Sequence, residues 1–242
     1  MCARLLPEND GTRRMTLHLG RWQDALAGVT CDVVITDPPY GDRTHVATND
    51  HIAGSDLPDG ANRTALAYHH WTAADVRDFV ASWAPRCRGW FCAMTSHDLV
   101  PAYEAALGAC NRLTFAPLPI IQKRPRLVGD GPASWTVYLV VSRPRGAPFS
   151  TWGCLPGAYS SHCEKGGVVA GAKPLSLMRS IVRDYSKPGD LVCDPCAGGA
   201  TTLLAALTEG RRAIGSEMDP ITHAAAQIRL DRGYTPLLPG LI

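Results

Sequence analysis

Leu191-Val192-Cys193-Asp194-Pro195-Cys196-Ala197-Gly198-Gly199-Ala200-Thr201-Thr202 reads as a short apolar strand, a glycine-rich turn and the opening of a helix. Small residues in such a turn let a ligand approach the backbone, and a helix starting at Thr201 offers N–H groups without intrahelical partners. The next strand, Arg212 to Glu217, ends in a carboxylate, about twenty residues beyond Gly198, where an acidic side chain can accept from both hydroxyls of a ribose. A nucleotide-free α/β turn has the same outline. The run Gly198-Gly199-Ala200 lacks G-x-G-x-x-G, which weighs against a dehydrogenase site.

Strands and helices alternate on both sides of this segment. Met15–Leu19, Asp32–Thr36, Gly89–Met94, Trp135–Ser142 and Leu191–Cys193 read as strands. Leu113–Gln122 is apolar but broken by Pro117 and Pro119, which suits a sheet edge or a bulge. Trp22–Ala27 reads as a short amphipathic helix or a turn, and helices are expected over Thr72–Ala84 with an N-cap signal at Thr72 and Asp75, Asp98–Ala109, Pro174–Tyr185, Thr201–Glu209 and Pro220–Arg232. Segments 41–71 and 146–171 are rich in Gly, Ser, Asp, Asn and Pro and lack periodicity. The pattern predicts an α/β domain over 1–242 with a mostly parallel sheet.

A second feature lies far upstream. Asp37-Pro38-Pro39-Tyr40 closes the apolar run Asp32–Thr36 and is followed at once by Gly41. Two prolines stop the strand and stiffen the chain, since each fixes φ and neither donates to a ladder. The corner then presents one carboxylate, one carbonyl and one aromatic face at a strand's C-terminal end, the edge where open α/β sheets bind ligands. An exocyclic amino group on a nucleobase has two N–H bonds to place on acceptors and a flat ring to stack, and this corner offers both.

The tetrapeptide resembles the D-P-P-Y motif of the S-adenosylmethionine-dependent DNA amino-methyltransferases. The Asp194–Thr202 segment is similar to that family's D-P-F-x-G-S-G-T-T cofactor motif. Ala172-Lys173-Pro174 through Met178 resembles its Q-K-P-x-x-L-M helix, Lys187–Asp190 its N-P-G-D turn, and Gly210–Pro220 its G-R-R-x-I-G-x-E-x-D-P run. The catalytic motif precedes the cofactor motif, as in the β-class enzymes. The resemblance implies a Rossmann-like, permuted sheet of seven strands, one of them antiparallel, with Met15–Leu19 beside Arg212–Glu217. Three departures stand out: Cys196 replaces the motif's phenylalanine, Gly199-Ala200 its Ser-Gly, and Gly20-Arg21 the usual Gly-Asp.

By that resemblance, Asp37, Pro38, Pro39 and Tyr40 form the catalytic corner. Asp37 and the Pro38 carbonyl accept the amino N–H groups, and Tyr40 stacks on the extruded base. Lys173, Asp194, Pro195, Cys196, Gly198, Thr201, Glu217 and Asp219 would bind S-adenosylmethionine, with Asp194 at the methionine amino group, Glu217 at the ribose and Lys173 near the methionine end. Lys123, Arg124, Arg126, Arg143 and Arg145 suit DNA phosphates, and His70 follows the long loop near the base. The implied activity is N6-adenine methylation of DNA, since relatives acting on cytosine more often carry Ser in place of Asp37. N4-cytosine methylation and an inactive cofactor- or DNA-binding module are the alternatives, and a homodimer is the expected assembly.

Bulk properties agree with this class. The net charge of +2, from 24 basic and 22 acidic residues, leaves DNA binding to local clusters rather than a global field. No apolar stretch is long enough to cross a bilayer, and the N-terminus lacks the apolar core of a signal peptide, so a cytoplasmic protein is expected. The nine cysteines are scattered; Cys193-x-x-Cys196 has no second pair to complete a zinc site, and no metal is expected.

Overall fold

A strand that buries every side chain needs strands on both edges and helices on both faces. Val33–Thr36 is such a strand. In the computed structural model, which describes residues 14–42, 69–126, 134–146, 153–161 and 172–233, it lies near the middle of a nine-stranded sheet. In chain order the strands are β1 (Met15–Leu19), β2 (Val33–Thr36), β3 (Phe91–Thr95), β4 (Arg112–Thr114), β5 (Leu118–Arg126), β6 (Ser134–Pro144), β7 (Tyr159–Ser161), β8 (Leu191–Asp194) and β9 (Arg212–Glu217). The sheet order is β1-β9-β8-β2-β3-β6-β5-β7, with β4 pairing to β6.

β6 runs against β3, β4 and β5, and the other pairings are parallel. The expected seven strands become nine through the three-residue strands β4 and β7. β4 arises because Pro117 ends the apolar run early, so Leu113–Gln122 splits in two. β7 falls inside the segment read as irregular, where it pairs Tyr159 with Ile120 and Ser161 with Gln122. The expected neighbour of β1 is correct: Met15–Leu19 pairs in register with Ala213–Glu217.

The helices are α1 (Trp22–Ala25), α2 (Ala73–Trp83), α3 (Val100–Ala109), α4 (Leu175–Tyr185), α5 (Thr201–Thr208) and α6 (Pro220–Gly233). Thr72 and Asp75 form the capping box that starts α2: Thr72 N–H donates to Asp75 Oδ2 at 2.8 Å and Asp75 N–H to Thr72 Oγ1 at 3.4 Å. One apolar core packs α2 and α3, through Phe79, Trp83 and Tyr103, on one face of the sheet. The other packs α4, α5 and α6, through Met178, Leu203 and Leu230, on the opposite face. Among the described residues no helix is long and apolar enough to cross a membrane.

Candidate active site

β8 leads through α5 to β9 on one side of the sheet, whereas β2 leads to β3 on the other. Where neighbouring strands diverge in this way, a crevice opens beyond their C-terminal ends. The β2–β8 ladder pairs Val33 with Val192 and Val34 with Cys193. Just beyond it, the Thr36 hydroxyl donates to Asp194 Oδ1 at 2.7 Å, linking residues 158 positions apart. The Asp37 corner and the glycine-rich turn therefore face each other across one cleft.

At the corner, Pro38 and Gly41 are buried and Asp37, Pro39 and Tyr40 half-buried. The Tyr40 hydroxyl donates to Asp37 Oδ1 at 2.9 Å. Lys173 Nζ donates to Asp37 Oδ2 at 2.5 Å and lies 5.1 Å from the centre of the Tyr40 ring. Lys173, expected near the methionine end of a cofactor, is thus held by the Asp37 carboxylate. The rest of the corner is tied to its surroundings. Gly41 N–H donates to Ser96 Oγ at 3.1 Å, and Trp71 N–H to the Tyr40 carbonyl at 3.0 Å. A methyl group on Gly41 would lie 2.1 Å from Asp98 Oδ2, so only glycine lets this carboxylate pack so closely.

Across the cleft Asp194 is almost fully buried. Burial raises its carboxyl to about 6; the Thr202 and Thr36 hydroxyls and the Cys196 N–H oppose that rise, and the Asp37 charge adds to it. Glu217 spans the turn, with Oε2 accepting from Gly198 N–H at 3.0 Å and Oε1 from Asp219 N–H at 2.8 Å. Pro195 is held through its carbonyl, which accepts from the Ser216 hydroxyl at 2.9 Å. Asp219 caps α6 by accepting from Thr222 N–H at 2.7 Å, which together with the Thr222 hydroxyl holds its carboxyl below the usual range. Burial and the carboxylates of Asp194, Glu217 and Asp37 push the Cys196 thiol well up.

Gly198 and Ala200 both have left-handed backbone, at φ 50° and 58°. Ala200 keeps this conformation directly before α5 although it carries a Cβ. Arg229 of α6 braces the turn, donating to the Gly199 carbonyl and to Thr201 Oγ1, each at 2.7 Å.

The basic residues divide. Thr95 is level with Tyr138 and Tyr138 with Pro119, so β5 from Ile120 onward runs past the C-terminal end of β3, on the same edge of the sheet as Asp37. That stretch carries Lys123, Arg124 and Arg126, whose side chains lie outside the described part. Arg143 and Arg145 fall elsewhere: β6 is antiparallel, and Ser142 is level with Phe91 at the start of β3. They stand at the opposite edge of the sheet from Asp37, with the Arg143 guanidinium 5.9 Å from the Phe115 ring centre. Their place in the sequence looked favourable only because strand direction was not readable there. His70 lies beside the corner, its ring 4.7 Å from that of His69 and Nδ1 3.9 Å from Asp42 Oδ1. Of segments 41–71 and 146–171, residues 43–68, 147–152 and 162–171 lie outside the described residues.

Four participants escaped the sequence reading: Thr36, Ser96, Asp98 and Arg229. The first three follow from one rule, since all sit at or just beyond the C-terminal ends of central strands. Arg229 has no local signal, being a helix residue whose partners are 30 and 28 positions away.

Residues 136–227 match the sequence profile of the DNA methylase family of N6/N4 type. This segment, under half of the chain, is similar to that family. Two Escherichia coli (strain K12) proteins share shorter stretches with the chain. The putative methylase YubD is 40% identical over 58 residues, 24% of this chain and 26% of its own length. The DNA adenine methyltransferase YhdJ is 45% identical over 47 residues, 19% of this chain and 16% of its own length. The chain thus matches about a quarter or less of each of these relatives. In fold, it resembles the M1.HpyAVI–SAM complex with a TM-score of 0.63 at 17% identity, over 90% of this chain and 99% of that one. The methylase segment begins in β6 and ends in α6, so it contains the cofactor-like turn, and the Asp37 corner lies upstream of it.

Proposed function

We propose that this protein transfers a methyl group from S-adenosylmethionine to the N6 amino group of adenine in DNA. One observation carries the reading: the Asp37–Tyr40 corner and the Asp194–Glu217 turn meet across a single crevice at the switch point of the sheet. The donor set suits the cofactor. Asp194 is a buried carboxylate matched to an ammonium group, Glu217 retains acceptor capacity for ribose hydroxyls, and nothing crowds the place of a Cβ at Gly198. When bound, S-adenosylmethionine supplies an electrophilic methyl group on a positively charged sulfur.

This chain's residues prepare the nucleophile. An adenine amino group is weak because its lone pair is delocalised into the ring. Asp37 accepts one N–H and the Pro38 carbonyl the other, which moves electron density to nitrogen and favours tetrahedral geometry. Tyr40 and Lys173 fix the two Asp37 oxygens, and each oxygen keeps a lone-pair direction for the base. The nitrogen loses a proton as it gains the methyl group, and Asp37 or water takes that proton. Tyr40 offers a stacking face to an extruded base, which offsets part of the stacking lost from the duplex. The β5 segment bearing Lys123, Arg124 and Arg126 runs along the same edge, suited to phosphates.

The test is direct. Mixed-sequence DNA is incubated with the protein and S-adenosylmethionine, digested to nucleosides and analysed by mass spectrometry. The expected product is N6-methyldeoxyadenosine. N4-methyldeoxycytidine would replace the base assignment, and no methylated nucleoside at all would reject the enzymatic reading.

A further inference from the structure

The β2–β8 ladder ends at Val34 and Cys193, and the strands part where the crevice begins. There the fully buried Thr36 hydroxyl donates to Asp194 Oδ1 at 2.7 Å. The same oxygen accepts the Cys196 N–H at 3.1 Å. Thr36 is joined by one peptide bond to Asp37, so a single side chain touches the carboxylate of the cofactor turn and sets the start of the catalytic corner. Neither the apolar run that it ends nor the D-P-P-Y motif that follows assigns it a role.

We propose that Thr36 is a positioning residue: its hydroxyl orients the Asp194 carboxylate for the cofactor's ammonium group and couples that carboxylate to Asp37. This rests on the cofactor reading given above. A hydroxyl donor favours the charged carboxylate over the neutral acid, because only the former offers every lone pair as an acceptor. Burial works against it, so Thr36 is one of a few groups that make Asp194 competent to pair with a cation. The titratable groups facing Asp194 are Asp37, with Lys173 beyond it, and the Cys196 thiol; the Thr202 hydroxyl approaches from α5.

The experiment measures binding of S-adenosylhomocysteine, which bears the same amino-acid end, by calorimetry from pH 5.5 to 8. Wild-type affinity should rise as pH passes about 6 and then level off. Thr36→Val keeps the shape and drops the hydroxyl. Its midpoint should move up by about one unit, making binding roughly threefold weaker near pH 6.5 and nearly tenfold weaker near pH 5.5, with little loss at pH 8. Thr36→Ser should follow the wild-type curve. Thr36→Ala, which loses the same hydroxyl without the second methyl of valine, replaces Thr36→Val if that variant does not fold. A hydroxyl-free variant superimposed on wild type, or weaker by one constant factor at every pH as a purely structural lesion would be, overturns the proposal while leaving the cofactor reading intact. A wild-type protein that binds no S-adenosylhomocysteine at any pH removes the cofactor reading itself and this proposal with it.

Discussion

Lys173 Nζ lies 2.5 Å from Asp37 Oδ2 although 136 positions separate the two residues. This pair joins the segment before α4 to the corner after β2, and the Tyr40 hydroxyl completes it from the other carboxylate oxygen. The Asp37 carboxylate is therefore held by two donors whose removal can be tested separately. Lys173→Met keeps most of the stem and removes the charge. Turnover should fall roughly tenfold, since hydrogen bonds to charged groups are worth about 1.5–3 kcal/mol. Lys173→Arg should recover part of that loss. Thermal stability should fall as well, because Lys173 and Asp37 are only 16% and 24% exposed and the Asp37 carboxylate would lose its cation. Steady-state methylation rates and a melting curve check both statements; unchanged turnover in Lys173→Met would leave the pair without a catalytic part.

Asp37→Ala should abolish most turnover while leaving cofactor binding within a few-fold of wild type. The lost contacts go to the target base and strengthen in the transition state, so the effect falls on kcat rather than on cofactor affinity. Wild-type methylation by this variant would show that the corner is not the reacting centre.

Asp194→Asn should separate stability from function. The folded-state pKa of Asp194 is raised from 3.8 to about 6. Between those values the folded protein binds a proton that the unfolded chain does not, so stability rises as pH falls through 6 towards 4 and is lower above 6. Two units correspond to at most ~3 kcal/mol of strain from the buried charge at neutral pH. The amide retains an acceptor oxygen for Thr36 and the Cys196 N–H but has no charge to bury. The expected variant melts higher than wild type at pH 7, gains nothing near pH 4, and binds S-adenosylmethionine poorly. Equal melting temperatures at pH 7 would show that Asp194 carries little desolvation cost.

Much of this was legible before the fold was known, for identifiable reasons. Thr36-Asp37-Pro38-Pro39 and Asp194-Pro195 mark strand ends through local sterics, and the Thr72–Asp75 capping box is likewise a short-range signal. Residues 15–19 could be placed beside β9 only through the family resemblance, since nothing local links Met15 to Ala213. Strand direction was the hidden variable. β6 reads as an ordinary apolar strand, yet its reversal carries Arg143 and Arg145 to the far edge and leaves the end of β5 on the near one. Pro174 points to a helix start, and only the resemblance places Lys173, the residue before it, near the methionine end; the pairing of Lys173 with Asp37 depends on how α4 lies against the sheet, which no short pattern encodes.

Ala200→Gly should stabilise the protein. Ala200 has φ 58° and ψ 31° before the first turn of α5. A left-handed residue with a Cβ costs about 1–2 kcal/mol, partly offset by the entropy glycine loses on folding. A net gain of roughly 1 kcal/mol corresponds to a melting temperature about 2–4 °C higher. Cofactor affinity should be kept, because the Gly199 carbonyl and Thr201 hydroxyl remain bound to Arg229. A lower melting temperature would mean that the Ala200 methyl contributes more through packing than its backbone loses.

Gly41→Ala tests whether the corner depends on the β3–α3 connection. The added methyl would sit 2.1 Å from Asp98 Oδ2 and 2.9 Å from its Cγ, too close for any accommodation without movement. Either Asp98 turns away or Gly41 shifts and strains its 3.1 Å bond to Ser96 Oγ, dragging Tyr40 with it. Turnover should therefore drop in Gly41→Ala, by about tenfold or more if the corner moves by even part of an ångström. Asp98→Ala alone should have a smaller effect, and in that background the Gly41 methyl finds room. The double variant should be more active than the product of the two single effects predicts, giving a coupling energy above about 0.5 kcal/mol, as expected for residues in contact. Strict additivity would show that the Gly41 methyl harms the site by another route, such as a direct clash with the target base.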